Sequence, residues 1–156
     1  MQNLPTSGCI LSLTAFSKVG DFRSDLFIDQ VDTEYCMRLR NKGYRVLISL
    51  KIAMIHPLGY YRASKLHKWM RGSSMITNYP PVRHYYWTRN GVTLIKENFL
   101  RDVSWSLNQA YYLFFRRILT VLLFEDQKII KLGNIVLGIW HAILSRGRGV
   151  NYLVGR

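Results

Sequence analysis

The sequence predicts an α/β fold in its first third and helices in the rest. Two short apolar runs, at 7–12 and 44–49, are typical of strands and flank a helical pattern. Beyond residue 100 the apolar stretches are longer and have helical periodicity. We therefore divide the chain into residues 1–60, the α/β part, residues 61–100, a helical extension rich in basic and aromatic residues, and residues 101–156, a set of amphipathic helices.

The charge is distributed unevenly along the chain. The net charge is +13, but residues 1–37 have a balance of −3 and residues 38–156 one of +16. A basic and aromatic half indicates a partner with phosphates: nucleic acid, anionic lipid or a diphosphate-linked substrate. Cys9 and Cys36 lack metal-ligand spacing and fit buried thiols of a cytoplasmic protein. The first residues lack the charged and apolar regions of a signal peptide.

A short extended segment turns directly into a helix that we predict from residue 33 to residue 42. Asp32 stands where an N-cap would, and Gly43 follows the helix as a C-terminal cap. The periodicity places Tyr35, Cys36 and Leu39 on one buried face. A carboxylate held at the helix start can accept a proton from a hydroxyl group. The alternative is that Asp32 only caps the helix.

Several segments of residues 5–60 match, in order, the second half of a family 2 glycosyltransferase domain of the GT-A type. They are SGCIL at 7–11, FSKVGDF at 16–22, LFID at 26–29, VDTEYCMR at 31–38 and GYRV at 43–46. They most resemble the bacterial rhamnosyltransferases that build O-antigen and related cell-surface polysaccharides. The resemblance implies that Asp32 is the catalytic base of an inverting transfer and that Asp29 binds the acceptor. Many members have an acid where this chain has Val31, so Asp32 is the only candidate of that pair.

The run at 51–55 is also predicted to be a strand, and His56 follows it and precedes a proline. Such a histidine is often a hydrogen-bonded structural residue. In the resembling family, however, a histidine at this distance beyond the base helps to bind a divalent metal, Mg²⁺ or Mn²⁺. The resemblance therefore implies that His56 is a metal ligand, because a cation stabilises the charge of the leaving diphosphate.

The resemblance also implies a part that the sequence does not contain. Family members begin with strands and helices that hold the nucleotide, followed by an Asp-x-Asp segment that holds metal and diphosphate. This chain has no Asp-x-Asp segment and no glycine-rich phosphate loop. We therefore expect a truncated chain that lacks the donor-binding half, is inactive alone and does not retain the metal.

The middle part contains a dense basic and aromatic cluster at 83–91. We predict a helix from residue 60 to 71, breaks at 72–74 and 79–81, and a helix that begins in the cluster. Tyr86, Arg89 and Asn90 form a Tyr-x-x-Arg-Asn pattern that resembles the tail region of rhamnosyltransferases. The resemblance implies that Tyr86 and Arg89 line the acceptor side. The alternative is that these aromatic residues pack into the core.

The last part has two apolar runs with helical periodicity. The run at 110–124 is split by Arg116 and Arg117, and the run at 129–144 contains Lys131. Neither run reaches the roughly 18 uncharged residues of a spanning helix. We predict helices that lie in the membrane interface, with basic residues near anionic headgroups. The alternative is a helical hairpin packed on the globular part. Both predictions can hold for one helix if one of its faces packs on the protein and the other contacts the membrane.

Three functions follow from these observations. The resemblance implies a peripheral transferase at the cytoplasmic face of the bacterial inner membrane. Its donor would be a nucleotide-sugar, TDP-rhamnose, and its acceptor a sugar linked to polyprenyl diphosphate. The second possibility is a non-catalytic remnant that binds the membrane or a partner chain. The third is nucleic-acid binding, but no nucleic-acid motif is present and the apolar runs fit lipid better, so we expect no nucleic-acid partner.

Overall fold

The computed structural model describes residues 6–49, 51, 60–63, 68–69 and 75–145. The chain forms two compact units, Met1–His56 and Pro57–Arg156, and each is described by itself. Within the described ranges the chain is mainly helical, with a two-stranded sheet. None of the described helices is both long enough and apolar enough to cross a bilayer.

The first unit contains two α-helices. Helix α1 is Leu13–Val19 and helix α2 is Val31–Asn41. The Ser12 hydroxyl caps α1 by accepting a hydrogen bond from a backbone N–H of the first turn, at 3.3 Å. Gly20, with φ +88°, ends α1, and Gly43, with φ +80°, follows α2. Both values favour glycine, so the predicted role of Gly43 is confirmed.

The two helices pack on each other through a small apolar core. The buried members are Ala15, Val19, Tyr35 and Leu39, and the partly buried ones are Leu11, Phe16, Tyr44 and Val46. Cys36 is also buried. The predicted inner face of α2 is therefore confirmed.

The strands predicted at 7–12 and 44–49 are wrong. Both segments are irregular in the structure, although each places apolar side chains against the helices. Ile10 and Leu47 point away from this core and are exposed. A strand needs a neighbour that accepts its backbone hydrogen bonds, and no described segment of the first unit pairs with either run. The run predicted at 51–55 lies outside the described residues apart from Lys51.

The second unit begins with an antiparallel pair of strands. Strand β1, Tyr60–Ala63, pairs with β2, Met75–Asn78, so that Tyr60 faces Asn78. The helix predicted to start at residue 60 is therefore wrong over β1. Aromatic residues favour strands, and pairing with β2 outweighs the local helical pattern. Most of the remaining predicted helix, and the break at 72–74, lie outside the described residues.

The described residues of the second unit that follow β2, 79–145, are mainly helical, as predicted. The helices are α3 (Pro81–Asn98), α4 (Val103–Ala110), α5 (Arg117–Phe124) and α6 (Lys128–Leu144), and a π-helical segment, Tyr111–Arg116, joins α4 to α5. Pro80 is extended and Pro81 occupies the first turn of α3. This confirms the predicted break, since proline suits the start of a helix but not its interior.

Helices α3 and α6 approach each other closely at Gly138. A Cβ atom at this position would lie 2.7 Å from the carbonyl oxygen of Tyr85 and 3.1 Å from the backbone nitrogen of Arg89. Both neighbours are backbone atoms of α3, which cannot move without shifting the helix. Gly133 lies on the same helix, but a Cβ there would meet nothing within 4 Å.

We expect Gly138→Ala to lower the free energy of unfolding of the second unit by about 1–3 kcal/mol, because it overpacks the contact between α3 and α6. Gly133→Ala is the matched control and should raise stability by about 0.5–1 kcal/mol, since alanine is the better helix former. Urea unfolding followed by tryptophan fluorescence measures both, because all four tryptophans belong to this unit. Equal effects of the two changes would contradict the close contact.

Candidate functional site

Asp32 lies in the first turn of α2 and is half-buried. The predicted N-cap position is wrong by two residues, because Gln30 occupies it and makes no side-chain capping bond. Asp32 still lies in the first turn of the helix, at the positive end of the helix dipole. Its position within the helix gives it a fixed backbone, as a proton acceptor requires.

The segment before α2 has an unusual backbone. Phe27, Asp29 and Gln30 all have φ close to +61°. The Ile28 N–H donates to the Leu26 carbonyl at 2.7 Å, which closes a tight turn around Phe27. Such conformations cost about 1–3 kcal/mol each and concentrate at functional sites. The strained segment therefore supports a functional role for the region that holds Asp29 and leads to Asp32.

Arg38 ties α2 to the chain that follows α1. Its guanidinium donates to the Glu34 carboxylate at 2.6 Å and to the carbonyl oxygens of Val19 and Asp21 at 2.9 and 2.7 Å. The Phe22 ring packs on Tyr35 with centroids 4.2 Å apart. These contacts fix the direction of α2 and hence the place of its first turn.

Cys9 lies near Asp32, which the sequence did not indicate. Partial desolvation raises the pKa of the Cys9 thiol, and the neighbouring Cys36 and Asp32 raise it further. The prediction of two buried thiols is half right, because Cys36 is buried but Cys9 is exposed. The thiol of Cys9 is therefore a probe of the charge on Asp32.

We expect Asp32→Asn to speed the alkylation of Cys9 by iodoacetamide at neutral pH. The thiolate is the nucleophile, and loss of a nearby negative charge lowers the pKa of the thiol. Screening by solvent keeps the gain below about tenfold. Peptide mass spectrometry separates Cys9 from the buried Cys36, and Asp21→Asn is the control, since Asp21 is not among the charges that raise this pKa. Identical alkylation rates in Asp32→Asn and the unchanged chain would show that the charge of Asp32 does not act on the Cys9 thiol.

The predicted metal ligand, His56, lies outside the described residues. Among the residues that are described, no three histidine, cysteine, aspartate or glutamate side chains converge to hold a metal ion. The described residues therefore do not fit a divalent metal by themselves.

Tyr86 and Arg89 are both buried in the second unit, on α3. Arg89 is 3% exposed, donates from Nε to the Asn90 side chain at 2.9 Å, and lies over the Tyr86 ring at 5.0 Å. These contacts agree with the alternative prediction, in which the aromatic residues of this region pack into the core. The acceptor-binding role of the two residues stays a prediction, as does that of Asp29.

A buried ionic cluster joins four segments of the second unit. The Lys131 ammonium, 1% exposed, donates to Asn78 at 2.6 Å, to Glu125 at 2.8 Å and to Asp126 at 3.1 Å. These acceptors match its three protons. His84 Nε2 lies 3.1 Å from the same Glu125 oxygen, Oε2. Sequence reasoning missed this cluster, although the one lysine inside the apolar run of α6 was a signal for it.

The cluster keeps His84 neutral. A carboxylate only accepts hydrogen bonds, so we assign the proton of His84 to Nε2, and its buried Nδ1 has no partner in the described structure. Burial lowers the pKa of His84 and outweighs the hydrogen bond to Glu125, which raises it; Arg117 and Lys131 lower it as well. For Glu125, burial raises the pKa, but hydrogen bonds from His84 and Lys131 outweigh it and the pKa lies below its usual value.

We expect the free energy of unfolding of the second unit to fall as the pH drops below the ordinary pKa of histidine, 6.5. The unfolded His84 then binds a proton that the folded one does not, so the stability present above this pH is lost, by at most about 1.4 kcal/mol per pH unit. Urea titrations at several pH values measure the slope. His84→Gln keeps a donor for Glu125 but cannot titrate, so it should flatten the slope between about pH 7 and pH 5. A slope unchanged in this variant would contradict the assignment.

Comparison with known proteins finds one informative relationship. No family model matches the chain, and no solved structure matches it. A dTDP-rhamnosyl transferase, RfbF of Shigella flexneri, is 36% identical over 108 aligned positions, which cover 65% of this chain. The chain spans about one third, 34%, of the length of that protein. The predicted resemblance to bacterial rhamnosyltransferases is confirmed: the chain is a partial relative of a bacterial dTDP-rhamnosyl transferase.

Proposed function

We propose that this chain is the acceptor-side part of an inverting glycosyltransferase that transfers rhamnose from dTDP-rhamnose. The observation that supports it best is the 36% identity to the Shigella dTDP-rhamnosyl transferase. The strained segment and the half-buried Asp32 at the start of α2 are consistent with a site in the first unit. The acceptor would be a polyprenyl-diphosphate-linked sugar in the synthesis of O-antigen or a related polysaccharide.

Asp32 is the proton acceptor in this reaction. Its carboxylate takes the proton of an acceptor hydroxyl as the hydroxyl oxygen forms a bond to the anomeric carbon of the rhamnosyl group. The bond from that carbon to the diphosphate oxygen breaks, and dTDP leaves with the electron pair. Attack opposite the leaving group inverts the configuration. Asp29, in the strained segment, would hold the acceptor hydroxyl near Asp32, so that less entropy is lost on reaching the transition state.

The first unit exposes apolar side chains on its two irregular runs. Ile10, Leu47 and Ile48 are exposed, and they lie on the two irregular runs for which strands were predicted. An α/β domain covers such runs with neighbouring strands. We propose that in a protein of the relative's length a donor-binding part supplies these strands and completes a GT-A-like domain. This chain alone would then lack transferase activity.

In the complete domain, His56 would be one ligand of a divalent metal. Bound there, Mg²⁺ or Mn²⁺ would stabilise the negative charge of the departing diphosphate. The described residues offer no further ligand set, so no step above depends on the metal.

A chimeric enzyme tests the proposal. The part of the Shigella protein that precedes the matched region is joined to this chain, and transfer of rhamnose from dTDP-rhamnose to a lipid-linked sugar is measured. The chimera should be active, whereas this chain and the Shigella part should each be inactive when assayed separately. A chimera that folds and binds dTDP but transfers nothing would overturn the proposal.

A non-catalytic role is the second candidate. The second unit exposes large apolar side chains along α4, the π-helical segment, α5 and α6, which indicates binding to a membrane or to another chain. This role would be favoured by the inactive but folded chimera just described.

A further inference from the structure

The outer face of α6 is apolar along its whole length. Lys131, Ile135, Gly138 and Ala142 are buried on the inner side, where α6 packs on α3. On the other side Ile129, Val136 and Trp140 are 87%, 64% and 58% exposed. Ile130, Leu137, Ile143 and Leu144 are exposed as well. Between residues 132 and 144 the helix has no lysine, arginine, aspartate or glutamate.

The apolar outer side of α6 is expected to pack against a second surface, as its inner side packs on α3. A surface helix normally has one apolar stripe and a charged opposite face, whereas a helix that is apolar all round is covered on all sides. The exposed residues of α6 recur at intervals of three, four and seven, so they form one continuous strip. A contiguous apolar surface of this kind marks an interaction site.

A second strip runs along α4, the π-helical segment and α5. Its exposed members are Val103, Leu107, Tyr111, Phe115, Leu119 and Leu122. The rings of Tyr111 and Phe115 stack, with centroids 5.4 Å apart. Arg116 lies over the Tyr112 ring at 4.5 Å and donates to its hydroxyl at 2.6 Å. This strip therefore combines exposed aromatic rings with the guanidinium group of Arg116, which lies near its centre in the sequence.

The charges around the two strips indicate what covers them. The second unit, residues 57–156, contains 15 lysines and arginines and four acids, a balance of +11. Lys128 precedes the α6 strip, and Arg146 and Arg148 follow it in the sequence. Apolar and aromatic strips bracketed by lysine and arginine suit the boundary between acyl chains and anionic headgroups.

We propose that the outer faces of α6 and of the helical run 103–124 bind the surface of an anionic lipid bilayer. The side chains of Val136 and Trp140 enter the acyl boundary, and the basic groups of Lys128 and Arg116 lie at the headgroups. Helix α6 lies along the surface, because its inner side remains packed on α3. Lipid binding does not require sugar transfer, so it can hold or fail separately from the transferase function.

Vesicle sedimentation with the full chain tests this proposal. The chain should bind vesicles that contain phosphatidylglycerol much more tightly than vesicles of phosphatidylcholine alone, and added salt should weaken the binding. Val136→Asp/Trp140→Asp should weaken binding at least about tenfold, since it places two charges in the apolar contact. Both side chains are exposed, so folding should be kept, and circular dichroism checks this.

Ile10→Asp/Leu13→Asp is the matched control. It also replaces two exposed apolar residues by aspartate and changes the net charge equally, but in the first unit. Its binding should stay close to that of the unchanged chain. Equal losses in both double variants would show attraction by charge alone and overturn the apolar contact. Binding to DNA without binding to vesicles, or a stable dimer that Val136→Asp/Trp140→Asp dissociates in the absence of lipid binding, would also overturn the proposal.

Discussion

Asp32→Asn is expected to lower rhamnosyl transfer by the chimeric enzyme by about 10²–10⁴-fold, the usual contribution of a general base. The amide has nearly the shape of the carboxylate but cannot take a proton from the acceptor hydroxyl. Asp32 is half-buried in the first turn of α2 and is not the N-cap residue, so folding should be kept. The fall should appear in kcat, with little change in the KM for dTDP-rhamnose.

Two companion variants make this result specific. Asp21→Asn changes an exposed carboxylate in the same unit and should leave the rate nearly unchanged. Asp29→Asn should raise the KM for the acceptor more than it lowers kcat, as expected of a residue that positions the hydroxyl. If Asp32→Asn keeps a tenth or more of the activity, roughly an order of magnitude above the expected range, Asp32 is not the base and only its structural role remains.

Lys131→Met is expected to lower the free energy of unfolding of the second unit by about 3–5 kcal/mol. Methionine fills the space of the lysine stem but leaves the Glu125 carboxylate buried without its ammonium partner at 2.8 Å. The hydrogen bond to Asn78, at 2.6 Å, is lost as well, which loosens the end of β2 from α6. Urea unfolding followed by tryptophan fluorescence measures the change.

Lys128→Met is the control for this prediction, since Lys128 is exposed at the start of the same helix. Its effect should stay within about 0.5 kcal/mol. Adding Glu125→Gln to Lys131→Met should recover much of the lost stability, because it removes the buried negative charge that has lost its ammonium partner. If the two lysine variants behave alike, or the added change recovers nothing, then the cluster does not stabilise the unit through its charges.

Local patterns in the sequence predicted the start of α3, the end of α2 and the buried face of α2. Pro80 and Pro81 mark the start of α3 because proline cannot occupy a helix interior. Gly43 marks the end of α2, because its φ of +80° is open to glycine at little cost. The periodicity of Tyr35 and Leu39 predicted the inner face of α2, since residues four apart share a side of a helix.

The predicted strands depended on partners that a local pattern cannot show. The runs at 7–12 and 44–49 have apolar residues suited to a sheet, but no described segment of the first unit lies beside them as a partner strand. At Tyr60–Ala63 the error was the reverse, because a helix was predicted and a strand is found. A segment with a helical pattern became a strand because β2 lies beside it.

The sequence by itself determined the relationship to rhamnosyltransferases, the place of Asp32 near the start of a helix, and the excess of basic charge after residue 37. These features depend on residue identity and spacing within a few turns of chain. Only the tertiary structure decided that Lys131 is buried with Glu125 and that Arg89 lies inside the helical packing. It also placed Cys9 near Asp32 and divided α6 into a packed side and an exposed side. Each of these depends on which distant segments meet, because burial and pairing are set by neighbours in space.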